Sequence, residues 1–121
     1  MMVQPRLRQW STDTAERRAR QRNIDRFIEQ LDLEQDANKR AALHRLLLAE
    51  VDSYGSRAER LDLVNSLIAG AKARVESQER LFEAAGPELT RLLQKMLEHF
   101  RATLKLFVIQ RQRLLDDRDR V

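Results

Sequence analysis

From Leu89 to Val108 the apolar positions of this chain recur at steps of three and four: Leu89, Leu92, Leu93, Met96, Leu97, Phe100, Leu104, Phe107 and Val108. That spacing lays them along one broad stripe of an α-helix. Within the stripe, Leu104 to Ile109 (Leu-Lys-Leu-Phe-Val-Ile) is apolar almost all the way round. A helix that is apolar on every side has to be covered on every side. The stretch before it carries a heptad signal, with Leu61, Val64, Ile68, Ala71, Val75, Gln78 and Phe82 alternating steps of three and four. Leu67 and Leu81 widen that stripe, and Ala69, Gly70, Ala71 and Ala73 are small enough for a neighbouring helix to approach closely.

The turn signals fit between these periodic runs. Gly86 and Pro87 separate the last two helices, glycine suiting a left-handed closing residue and proline the first turn of the next helix. So short a link predicts an antiparallel hairpin with arms over about 57–84 and 88–117, each roughly 40 Å long. Upstream, Ile24, Phe27, Ile28 and Leu31 form a narrower stripe, and Leu43, Leu46, Leu47, Val51 and Tyr54 another. The capping-box pattern of Asp13 with Glu16 places the start of the first helix at residue 13. Asp36 is the expected N-cap of the second. Gly55 sits at a C-cap position, and Ser56 with Glu59 forms a second capping box, so a helix break is expected at 54–56. Running helix through Gly55 would cost about 1 kcal/mol.

The expected fold is all-α: a long antiparallel helical hairpin with a shorter helical pair, of the four-helix-bundle or coiled-coil-like kind. Residues 1–12 read as a flexible tail in which Trp10 is the side chain suited to docking. Residues 13–121 read as a single helical domain, divided into a short pair (13–54) and the long hairpin (57–117). The two short helices, roughly 27 Å each, leave part of the long pair to be covered by something else.

Composition narrows the function classes. The chain has 121 residues, 42% hydrophobic and 35% charged, with three glycines and two prolines, which suits helices rather than sheets. It has no cysteine, so disulfides, thiolate chemistry and cysteine-based zinc sites are excluded. Residues 1–10 lack the apolar core of a signal peptide, and no apolar run approaches a membrane span, so a cytoplasmic location is expected. The net charge of +4 is concentrated at one end. Residues 1–26 hold seven arginines against three acids, and the remainder is balanced.

Arg17, Arg18, Arg20 and Arg22 cluster within two turns and are candidate contacts for phosphate groups or nucleic acid. They lack interleaved aromatic residues, point to several sides of the helix and sit near Asp13, Glu16 and Asp25, so a solvated face is the plainer reading. His44 and His99 lie inside helical stretches without a second histidine at ligand spacing. Acidic pairs such as Glu76 with Glu79 and Asp116 with Asp117 stand among basic residues as helix-surface charges. No catalytic residue, metal ligand, cofactor site or small-molecule substrate is expected, and the chain reads as a non-enzyme.

Two resemblances accompany this reading. Leu43-His44-Arg45-Leu46-Leu47-Leu48-Ala49 resembles the phosphoacceptor motif of histidine phosphotransfer domains, which are four-helix bundles of about this size. Leu47 and Leu48 stand where that family carries lysine and a small glycine, so the resemblance implies at most a degenerate bundle of that type. Secondly, Asn23 to Phe27, Leu33-Glu34, Lys39-Arg40, Leu43 and Leu46 to Glu50 resemble a helical hairpin of short alphaproteobacterial proteins of unassigned function. Arg74-Val75, Gln78 to Leu81, Leu104 and Arg113 to Leu115 resemble another hairpin of the same background. This implies a bacterial helical protein and carries no activity with it. Phe107-Val108-Ile109 departs from the polar residues usual before the final arginines of those hairpins.

The function expected from these surfaces is a protein–protein interaction module, self-associating as a homodimer or acting as an adaptor. Its expected interface is Leu104, Leu106, Phe107, Val108 and Ile109. Val64, Ile68, Val75 and Phe82 can cover one stripe of the final helix but not Leu106 and Ile109 as well.

Overall fold

The structure, a computed structural model, describes the backbone of residues 3–119 and the side chains of residues 14–117. The chain is all-α, with helices α1 (Val3–Leu33), α2 (Ala37–Asp52), α3 (Arg57–Ala84) and α4 (Thr90–Asp119). They fall into two compact units, Met1–Arg60 and Leu61–Val121. The division falls at the end of the first turn of α3.

The first unit is the pair α1 and α2, which pack against each other. Side-chain bonds from Arg20 and Asn23 to Glu50, and from Arg40 to the Leu31 carbonyl, make the pair antiparallel. Ile24, Leu31, Leu47 and Val51 are buried, and Phe27, Ile28 and Leu43 are half-buried, as their spacing predicts. Leu46 departs from its expected stripe and is exposed. Asp36 caps α2 as read from sequence: its backbone is extended and its carboxylate accepts from the Lys39 N–H at 2.9 Å.

Helix α1 overturns one boundary. It begins at Val3, ten residues before the Asp13 capping box, so residues 3–12 are helical rather than an irregular tail. Pro5 does not prevent this, because the first turn of a helix has no N–H bond for proline to remove. The two upstream helices are therefore not both short, since α1 has 31 residues and α2 has 16. The side chains of residues 1–13, including Trp10, lie outside the described set.

The break after α2 is real. The Ser53 N–H donates back to the Glu50 carbonyl at 3.3 Å and the Tyr54 N–H to the Val51 carbonyl at 3.1 Å, and Gly55 turns the chain with a φ of +50°. That left-handed value is one that glycine adopts without steric penalty. The second capping box then closes as expected, with Glu59 N–H on Ser56 Oγ at 3.2 Å and Ser56 N–H on Glu59 Oε1 at 3.5 Å.

In the second unit, the heptad reading of α3 holds. Val64, Ile68, Ala71, Val75 and Gln78 are buried, Leu61 and Phe82 half-buried, and Leu63 and Leu67 widen the stripe. Leu81, expected to widen it too, is exposed. Gln78 Nε2 donates to the Leu93 carbonyl at 3.4 Å and Arg101 reaches Glu79 at 3.4 Å, two contacts that join α3 to α4. The turn between them differs from expectation. Gly86 is not left-handed, Gly55 being the one positive-φ residue described, and Pro87 precedes α4 instead of entering its first turn. The Gly86 carbonyl accepts from both the Leu89 N–H and the Thr90 hydroxyl, and these two bonds bring the chain into α4 at Thr90.

Candidate functional site

Along the polar half of α1, two arginines are committed to carboxylates within their own unit. Arg17 is bound to Glu59, the capping residue of α3, and Arg20 to Glu50 of α2 at 3.3 Å. Asn23 adds a weaker bond to Glu50 at 3.4 Å. With Glu16, Ser53, Gly55 and Ser56, these arginines line a polar cleft of about 360 Å³. The Arg17 guanidinium holds the Glu59 carboxyl below its usual range, and the bonds from Ser56 act in the same direction. Glu59 already supplies the negative charge that the α3 N-terminus and Arg17 favour.

Arg18 and Arg22, by contrast, are exposed, as is Arg26 one turn further on. The four arginines grouped by sequence therefore do not make one surface. Arg17 and Arg20 serve internal ion pairs, while Arg18 and Arg22 continue into Arg26 on the outside. Sequence reasoning missed this division because the acids that bind Arg17 and Arg20 are 42 and 30 residues away.

The residues expected at an interface on α4 also divide. Phe107 is 2% exposed and belongs to the core, whereas Leu104 and Leu106 are half-buried. Val108 and Ile109 are 37% and 43% exposed. Phe107 is thus a structural anchor, and the outward apolar surface of this stretch is Val108 and Ile109, with the accessible parts of its neighbours. Leu89 and Leu92, assigned by periodicity to the same stripe, are also exposed.

In the first unit Leu33, Ala42, Leu43 and Leu46 line a shallow apolar groove of about 480 Å³ between Gln30, Glu34 and Lys39. Leu33 is 82% exposed. No periodicity argument finds this groove, because Leu33 lies off the α1 stripe and the spacing of Leu46 places it with the buried face of α2.

His44 is half-buried, and its pKa is lowered first by burial and then by the Arg40 charge. That environment favours a neutral imidazole. Arg40 itself is a residue the sequence did not single out. It is buried, and its Nη1 donates to the carbonyls of Leu31 at 2.6 Å and Glu34 at 2.9 Å. It thereby satisfies the open C-terminal end of α1. Burial lowers its pKa, while Asp32 and Glu34 act in the opposite direction. Among the described residues, no group of three or more His, Asp or Glu side chains could hold a metal ion. Among them, too, no helix is long and apolar enough to cross a membrane.

No family model, curated protein or solved structure matches the chain.

Proposed function

We propose that this protein is a non-enzymatic, cytoplasmic protein–protein interaction module that self-associates through the outer face of α4. The observation that carries the reading is the adjacent exposure of Val108 and Ile109, beside half-buried Leu106, on a helix whose other side buries Leu97, Phe107 and Leu114. Side chains of this kind gain about 1.5–3 kcal/mol each when fully buried. A second copy is the simplest cover, because a two-fold contact needs one self-complementary patch.

Ile109→Asp tests the proposal. Static light scattering should give the mass of a dimer for the unaltered chain at micromolar concentration and of a monomer for the variant, with the helical circular dichroism preserved. A monomeric unaltered chain, or a variant that still dimerises, would refute it.

A further inference from the structure

We infer that the outer face of α2, around Leu43 and Leu46, is a second self-association surface, on which α2 of another copy of the chain lies antiparallel. The surface belongs to the first unit and does not depend on the α4 patch in the second.

Lys39, Leu43, Leu46 and Glu50 follow one another at steps of four, three and four. Seven residues carry a helix through nearly two whole turns, so the four share a face. Alternating threes and fours mark the seam along which two helices pack side by side. This is not the face that buries Arg40, Leu47 and Val51. Leu46 is 51% exposed and Leu43 is half-buried, and with Ala42 and Leu33 they line the apolar groove of the first unit. Ala42 and the exposed Ala49 flank the seam and are small enough for another backbone to come close. Arg45, the exposed charge beside Leu46 in sequence, is turned about 100° away from it.

The charges along the seam select the occupant. A two-fold axis midway between Leu43 and Leu46 sets Leu43 against Leu46 of the other copy, and Lys39 against Glu50 of the other copy, each contact occurring twice. The leucines then meet at the centre and opposite charges meet at both ends. Lys39 is exposed, and among the described residues its ammonium forms no ion pair. Glu50 brings Arg20 with it at 3.3 Å, and Glu34 lines the groove together with Lys39. Each end of the contact thus gathers Lys39 and Arg20 against Glu34 and Glu50, two charges of each sign. A parallel pairing would set like charges against each other at both ends. A uniformly acidic or basic partner helix would face its own sign at one end.

The contact is small. It contributes two leucines from each copy, against the roughly 20–30 residues a side of a stable interface. It therefore forms towards millimolar concentration and leaves the micromolar state to other surfaces.

Sedimentation equilibrium of the full chain, from micromolar to millimolar concentration, is the test. The micromolar mass reports on α4 whatever its value, and any further rise reports on α2. The mass of the unaltered chain should climb above its micromolar value. Leu46→Asp should hold the micromolar mass throughout, with unchanged circular dichroism, because Leu46 is exposed. Lys39→Glu and Glu50→Lys should each hold it as well. Their equimolar mixture should recover the rise, because each end of the mixed contact then joins opposite charges. An unaltered chain whose mass does not climb would overturn the inference and leave the groove to a different protein. A climb that survives Leu46→Asp, or charge variants that do not rescue each other, would overturn it too.

Discussion

Arg40 shows how much a single side chain can organise in a small helical pair. The last turn of a helix leaves carbonyl groups without partners, and Arg40 collects two of them from the next helix. Replacing it with Leu would leave those carbonyls unsatisfied where they are shielded from water, at a cost of about 1–3 kcal/mol. Urea unfolding followed by circular dichroism should show the lowered midpoint. Gly55 is a second such position. An added Cβ would meet Glu59 Oε2 at 2.7 Å, and the φ of +50° disfavours any L side chain. Gly55→Ala should therefore cost about 1–2 kcal/mol, measured in the same way.

His44 makes a pH prediction at this scale. Its pKa in the folded chain lies below the ordinary value of 6.5. The unfolded chain then binds more protons in the interval between the two values, and stability rises with pH there. The contribution is fully present above about pH 6.5 and is progressively lost as pH falls through the folded value. His44→Gln should flatten the stability profile just below pH 6.5, a difference that unfolding curves at stepped pH would reveal. Glu59, whose pKa is also depressed, acts further down the scale. Its contribution is present above the ordinary carboxylate range and is lost as pH falls through its own folded value.

At the scale of elements, the chain uses local signals to start and stop helices and distant charges to hold them. Asp36 and the Ser56–Glu59 box are local devices, each within four residues. Asp36→Ala should cost about 1 kcal/mol through the lost cap on α2. The Arg101–Glu79 pair joins α3 and α4 across 22 residues, but both side chains are about half exposed. Arg101→Ala should therefore change stability by less than about 1 kcal/mol. Thermal unfolding of the two variants side by side would separate these sizes, and a larger loss for Arg101→Ala would contradict the ranking. The polar half of α1 follows the same logic. Its ties to Glu59 and Glu50 are partly exposed ion pairs between residues distant in the chain, contacts of the same modest size.

On the scale of the whole molecule, Phe107 and Ile109 differ by two positions and should fail differently. Phe107 is nearly inaccessible, so Phe107→Ala should destabilise the chain by about 3–5 kcal/mol at any concentration. Ile109 faces outward, so Ile109→Asp should act only through association. The midpoint of thermal unfolding should rise with concentration in the unaltered chain and become independent of it in Ile109→Asp. A concentration-independent midpoint in the unaltered chain would remove the basis for self-association.

The sequence by itself determined the all-α class, the helix break near Gly55, the capping residues Asp36, Ser56 and Glu59, and the buried stripe of α3. These depend on spacings of three or four residues, which a helix converts directly into a face or a cap. It also marked Leu104 to Ile109 as too apolar for one covered stripe. Only the tertiary structure decided which of those six residues face inward, because periodicity gives the relative angles of side chains and not the direction of the neighbour. For the same reason Leu33, Leu46 and Leu81 are exposed although they are leucines, and Arg40 is buried although it is charged. The start of α1 escaped because a capping box inside a helix looks the same as one at its beginning. The arginines of α1 were legible as a cluster, but their division was not. Which guanidinium is neutralised depends on acids 30 and 42 residues away, and only the fold brings those acids within reach.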